Sequence, residues 1–114
     1  MATLKLRIHF GEGRALGPGK VQLLELVGET GSISAAARSM EMSYRRAWLL
    51  VDGLNQMFAT PVVATRGGGA GGGGATLTPF GAEVIAAYRA MEQDAQAALA
   101  ERVMRLENAL APQS

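Results

Sequence analysis

The sequence predicts a mainly α fold carrying a small β-hairpin. Three observations support that class. Apolar residues recur in steps of three or four through most of the chain, and Ser, Thr, Pro and Gly mark where each run starts or stops. Two short β-prone stretches, Val62–Arg66 and Ala75–Thr78, flank seven glycines and one alanine at Gly67–Gly74, the pattern of a hairpin with a long tip. The last periodic run, Pro79 to about Leu110, would form a helix of about 48 Å at ~1.5 Å per residue. That is longer than a domain of this size is wide.

Taken in order, Thr3–Phe10 alternates strictly. Leu4, Leu6, Ile8 and Phe10 share one face and Lys5, Arg7 and His9 the other, so a half-buried strand is expected. Gly11–Gly19 holds four glycines and a proline and reads as a loop. Pro18 suits the first turn of a helix that continues through Val21, Leu24 and Val27, with Leu23 and Leu26 beside them, to a stop at Gly31. Ser34 is expected to cap a short alanine-rich helix ending near Met40. Glu41-Met42 leaves room only for a turn. Ser43 is the next cap, and Tyr44–Phe58 the next helix, with Ala47, Trp48, Val51, Leu54 and Phe58 as its apolar face. Trp48 is expected in the core, because its large ring falls on that face. Pro61 ends the helix, and Thr78-Pro79 reads as cap and first residue of the last one.

Two helices joined by a tight turn, from about Ser32 to Phe58, make a helix-turn-helix. Such a unit holds its second helix at a steep angle, so that its N-terminal residues can enter the major groove of DNA. Here those residues are Ser43, Tyr44, Arg45 and Arg46. Serine and arginine donate to phosphates, and arginine pairs with guanine O6 and N7. Tyr44 can either pack or touch phosphate. The glycine hairpin beside the second helix makes the unit winged, with Arg66 at the wing's base as a phosphate donor. Two rivals exist for the glycine run. A nucleotide phosphate loop lacks its Gly-Lys-Ser/Thr ending, and a tether without contacts requires no particular residues. The terminal helix carries Phe80, Val84, Tyr88, Met91, Ala95, Leu99, Val103, Leu106 and Leu110 along one stripe. Its distal part exceeds what its own chain can cover and needs a partner helix.

Composition sets limits. The net charge is only +1, but residues 1–80 hold eight Lys and Arg against five acids, and residues 81–114 hold three Arg against five acids. The cationic excess therefore lies where the helix-turn-helix lies, and affinity for phosphate follows local charge. There is no cysteine, so disulfides and thiolate metal sites are excluded. His9 is the single histidine, and no spacing suggests a metal site, a catalytic group, a cofactor or a small-molecule site. No secretory signal or run long enough to span a bilayer is apparent, and a cytoplasmic protein is expected.

The stretches Gly31-Ser32-Ile33-Ser34-Ala35-Ala36-Ala37 and Met42-Ser43-Tyr44-Arg45-Arg46-Ala47-Trp48, with the wing from Thr65 to Thr78 and Pro79-Phe80-Gly81 after it, resemble the ModE-type molybdate-responsive transcription regulators. The resemblance covers about Leu4 to Leu110. It implies a LysR-like winged helix-turn-helix that binds a palindromic operator in double-stranded DNA as a homodimer, joined through the terminal helix and the N-terminal region. By position, it implies DNA contacts at Ser43, Tyr44, Arg45 and Arg46, backbone contacts at Arg66, Gly67 and Gly68, and lesser ones at Ser34 and Arg38. Full-length members carry oxyanion-binding domains after the terminal helix, and the molybdate-binding part is not expected here. The resulting expectation is a winged helix-turn-helix over residues 1–78 and a long C-terminal dimerisation helix over 79–114, within one domain. Tyr88, Met91, Leu99, Val103 and Leu106 would meet a second copy. The competing reading is a protein-interaction adaptor that keeps the fold without specific DNA binding.

Overall fold

The computed structural model describes residues 2–66 and 74–113. In chain order the elements are β1 (Ile8–Gly11), β2 (Arg14–Leu16), α1 (Pro18–Thr30), α2 (Ile33–Ser39), α3 (Tyr44–Met57), β3 (Val63–Thr65), β4 (Ala75–Leu77) and α4 (Pro79–Asn108). The mainly helical class with a wing hairpin and a long last helix is as expected.

Local chemistry sets the boundaries. α1 starts on Pro18 and stops at Gly31, whose φ of 71° is left-handed and lets its N–H close on Val27 O at 2.8 Å. The cap of α2 is Ser32, not Ser34: Ser32 Oγ accepts from Ala35 N at 3.0 Å. A cap must precede the helix by one residue, and the helix begins at Ile33 because that side chain is drawn into the core. Ser34 lies within the first turn instead and accepts from Arg38 Nη1 at 3.1 Å. In the turn between α2 and α3, Glu41 takes φ 55°. The position is left-handed yet holds no glycine, at a cost of about 1 kcal/mol. Ser43 caps α3 by accepting from Arg46 N at 3.1 Å, and Thr78 caps α4 by accepting from Gly81 N at 2.9 Å.

The core is shared by all four helices. Val21, Leu23, Leu24 and Val27 of α1 meet Ile33, Ala36 and Ala37 of α2, Ala47, Val51 and Leu54 of α3, and Val84 and Tyr88 of α4. Val62, Val63 and Ala75 close it from the wing side. The alanines on α2 and α3 place only methyl groups between the helices, which lets them approach closely. A ring ladder seals one edge, with Phe58 edge-on to both Phe10 (6.4 Å) and Phe80 (5.4 Å).

The N-terminal region differs from expectation. Only Ile8–Gly11 is strand, and it pairs antiparallel with β2, so part of the expected Gly11–Gly19 loop is the return arm of a hairpin. Leu16 of that arm is buried. Residues before Ile8 keep the alternation, with Leu4 and Leu6 half-buried and Lys5 and Arg7 exposed. Their apolar face is covered by α4 instead of by a sheet. Tyr88 Oη donates to Leu6 O, and Leu4 N donates to Gln96 Oε1 at 3.4 Å. Period two reports one covered face and does not say which element covers it.

α4 contributes to the core only through its first turns. Tyr88 is fully buried, and burial together with Glu92 pushes its phenol pKa up. Tyr88 thus belongs to its own chain's core, a correction to its place on the partner-facing stripe, because the N-terminal segment covers it. Next to it Arg89 grips Glu25 of α1 with two bonds, Nη2–Oε1 2.6 Å and Nε–Oε2 3.1 Å, and reaches Glu92 at 2.7 Å. These bonds, first to Glu25 and then to Glu92, raise its pKa further and keep it charged. No described residue of α4 after Tyr88 is buried.

Among the described glycines, Gly81 has the tightest surroundings. A Cβ there would sit 2.1 Å from Val62 O, a contact with backbone that no rotamer can relieve. Gly81→Ala is expected to cost about 2–3 kcal/mol and to lower the melting midpoint by on the order of 10 °C. Thermal unfolding followed by circular dichroism checks this, and an unchanged midpoint would show that α4 and the wing base are not in tight contact.

Candidate nucleic-acid interface

α3 is the most exposed helix of the helix-turn-helix. Residues on an α-helix advance by about 100° each. Ala47, Val51 and Leu54 face the core. The opposite face therefore presents Arg45, Leu49, Asp52 and Gln56. Tyr44 and Trp48 lie toward one flank of that face, and Arg46 and Gly53 toward the other. Trp48 is 43% exposed, which corrects its expected burial. It follows Ala47 by one position and so points about 100° away from the core-facing row. Tyr44 and Leu49 are also exposed.

The cationic groups stand free. Among the described residues no acidic side chain is within ion-pair distance of Arg45, Arg46 or Arg66. Ser43, Arg45, Arg46, Leu49 and Leu50 line one shallow hollow at the N-terminal half of α3. Asp52, the acid on this face, accepts from Gln56 Nε2 at 2.8 Å. Ser34 and Arg38 form a separate polar pair one turn apart on α2. Among the described residues, the site residues expected from the sequence are thus surface groups in different parts of the fold, and Ser43, Arg45 and Arg46 are brought into one hollow. Gly67 and Gly68 lie outside the described residues.

The wing is fixed to α3 by a residue that the sequence reading passed over. Asn55 Oδ1 accepts from Val62 N at 2.8 Å and from Val63 N at 3.0 Å, while its Nδ2 donates to Val63 O at 3.0 Å. One carboxamide thereby satisfies three backbone groups where the chain enters β3. From there β3 pairs with β4 in the register Val63↔Leu77, Ala64↔Thr76, Thr65↔Ala75. Arg66 N extends the pairing to Gly74 O at 2.9 Å, and Ala75 N donates to Gly31 O at 2.9 Å, tying the second arm to the end of α1. The available signal was an Asn on a helix flank a few residues before Pro61, a group able to serve a turning backbone.

Held this way, α3 projects beside a wing whose position it helps to set, and the class this defines is a winged helix-turn-helix protein. Residues 19–82 match the bacterial regulatory helix-turn-helix protein, lysR family, and the chain belongs to that family. It is similar to the molybdenum-pterin-binding protein MopB of Rhodobacter capsulatus, at 49% identity over 70% of this chain and 30% of the relative. It is 39% identical to the molybdenum transport protein ModE of Azotobacter vinelandii, over 76% of this chain and 32% of the relative. Against the DNA-binding transcriptional dual regulator ModE of Escherichia coli K12 the identity is 37%, over 85% of this chain and 37% of the relative. The chain spans about a third of the length of these relatives.

Replacing Asn55 with Ala is expected to cost about 2–3 kcal/mol, since three part-buried backbone groups lose their partner. Asn55→Asp should cost nearly as much, because a carboxylate cannot donate to Val63 O. Denaturant titration of both variants measures this. Equal stability of Asn55→Asp and wild type would show that the donated bond contributes nothing.

Proposed function

We propose that the chain binds a palindromic operator as a homodimer and regulates genes connected with molybdenum. The observation that carries DNA binding is the Ser43-capped start of α3, where Arg45 and Arg46 are exposed without acidic partners. In this reading Ser43, Tyr44, Arg45 and Arg46 enter the major groove. Arg66 with Gly67 and Gly68 follows the sugar–phosphate backbone, and Ser34 and Arg38 reach phosphate from α2. Residues 1–78 serve as the DNA-binding unit and 79–114 as the dimerisation helix of the same domain. The link to molybdenum rests on the names of the relatives, MopB and ModE. No helix among the described residues is long and apolar enough to cross a membrane, in keeping with work in the compartment that holds the DNA.

Dimerisation is supported by the uncovered part of α4. Met91 is 40% exposed and Leu106 72% exposed, with Leu99 and Val103 half-buried on the same stripe. An apolar hollow lined by Ile8, Phe10, Phe58, Phe80, Val84 and Met91 continues that stripe toward β1. A second copy would cover these groups. Two copies related by a twofold axis then present two α3 helices to half-sites one helical turn apart, or a multiple of it.

Two experiments test the reading. An operator is selected from randomised duplexes with the wild-type protein, and Arg45→Ala/Arg46→Ala is then measured against it. Loss of the preference over random DNA is expected, about 1–3 kcal/mol per lost base contact. A double variant that selects the same operator would remove α3 from the recognition role. In sedimentation, Val103→Glu/Leu106→Glu should shift the protein from dimer to monomer and weaken operator binding by about 100-fold or more. A variant that stays dimeric would move the interface away from the α4 stripe.

A further inference from the structure

We propose that the β1–β2 hairpin and the first turn of α1 form a second DNA-contacting arm, in which Arg14 of the hairpin and Lys20 of α1 bind backbone phosphates on the side of α3 opposite the wing. The proposal rests on the DNA-binding reading above and adds a site to it. A helix is about as wide as the major groove, roughly 10–12 Å in each case. When α3 lies in the groove with Arg45, Leu49 and Gln56 toward the floor, its two flanks face the two sugar–phosphate walls. One flank carries Asn55, which holds the wing and so brings Arg66 to that wall. Gly53 is two residues from Asn55 and therefore about 200° around the helix from it.

On Gly53's flank the fold supplies a different pair of cations. Gly13, Arg14 and Lys20 share a hollow with Leu49, Leu50, Gly53, Gln56 and Met57 of α3. The hairpin tip that presents Arg14 turns through three residues with positive φ, Gly11 (94°), Glu12 (55°) and Gly13 (75°). Lys20 is anchored by donating to Ala15 O at 2.8 Å, and an ammonium has two further donors to offer. Gly53 leaves the hollow open, since a Cβ placed there would meet nothing within 4 Å. Arg14 has a carboxylate neighbour, Glu12 Oε2 at 3.3 Å, but that pair is 48% and 85% exposed. Such a pair contributes little in water, and phosphate can replace it. The wall opposite the wing thus meets two cations, Arg14 beside a short, shaped turn and Lys20 in the first turn of α1, where the sequence suggested only a loop and a helix start.

The test is the salt dependence of binding, measured by fluorescence polarisation on the selected operator and on a random duplex of equal length. Each lost phosphate contact makes the slope of log affinity against log salt shallower by about 0.9. Arg14→Gln/Lys20→Gln should flatten the slope by nearly two such steps and weaken both duplexes by the same factor, leaving selectivity unchanged. Arg14→Gln alone, at an exposed site, should give one step without a change in melting midpoint, and Arg14→Lys should restore it. Glu12→Gln should tighten binding to both duplexes by freeing Arg14. Unchanged slope and affinity in the double variant, with Arg45→Ala/Arg46→Ala still losing the operator, would overturn the second arm and leave the DNA-binding reading intact. A wild-type protein that retains neither duplex would overturn both.

Discussion

Val62 is the residue on which the arrangement of the interface depends. Its side chain is fully buried. Its N–H is held by Asn55 of α3, its carbonyl accepts from Thr78 N at 3.0 Å, and the same carbonyl meets Gly81 of α4 with no room for a methyl group. α3, the end of the wing and α4 are therefore all referenced to one residue. Thr78 adds to this by donating from Oγ1 to Pro61 O at 2.6 Å while capping α4. The wing cannot tilt against α3 without unpairing buried backbone groups, and each such group costs on the order of 1–3 kcal/mol when left unsatisfied.

The parts of the fold visible in the sequence are those set by local chemistry. Ser43, Thr78-Pro79 and Gly31 act within their own turns, so their roles can be read from neighbouring residues. Ser32 and Ser34 show the limit of that method. Both can cap, and the choice falls to Ile33, whose burial is a tertiary fact. Trp48 fails for a related reason: it lies one step from the core row, and periodicity alone does not say how wide the buried stripe is. Asn55 was invisible because its partners are backbone groups seven and eight residues away, which carry no residue identity.

The N-terminal segment shows the same division. Its alternation was legible, but its partner was not. Leu4 and Leu6 follow α4, more than eighty positions away in sequence, and the hairpin that does form is shorter and later than the alternation suggests. As a result Tyr88, which sequence spacing places on the same stripe as Met91 and Leu99, is already enclosed. The apolar surface left over on α4 begins at Met91 and is carried outward by the helix, giving the molecule a longest extent of 57 Å against 25 Å for the shortest.

The missing Cβ at Gly81 has a mechanical consequence. With no slack between α4 and Val62 O, and with Asn55 joining Val62 and Val63 to α3, a tilt of the long helix would be passed on to the helix-turn-helix head. If two copies are joined through α4 as proposed, a force that changes the angle between the two arms would change the distance and tilt between the two heads. Neither head needs to deform. Control of such a pair would be exercised through geometry at a distance, and the fit to two half-sites would be the quantity adjusted.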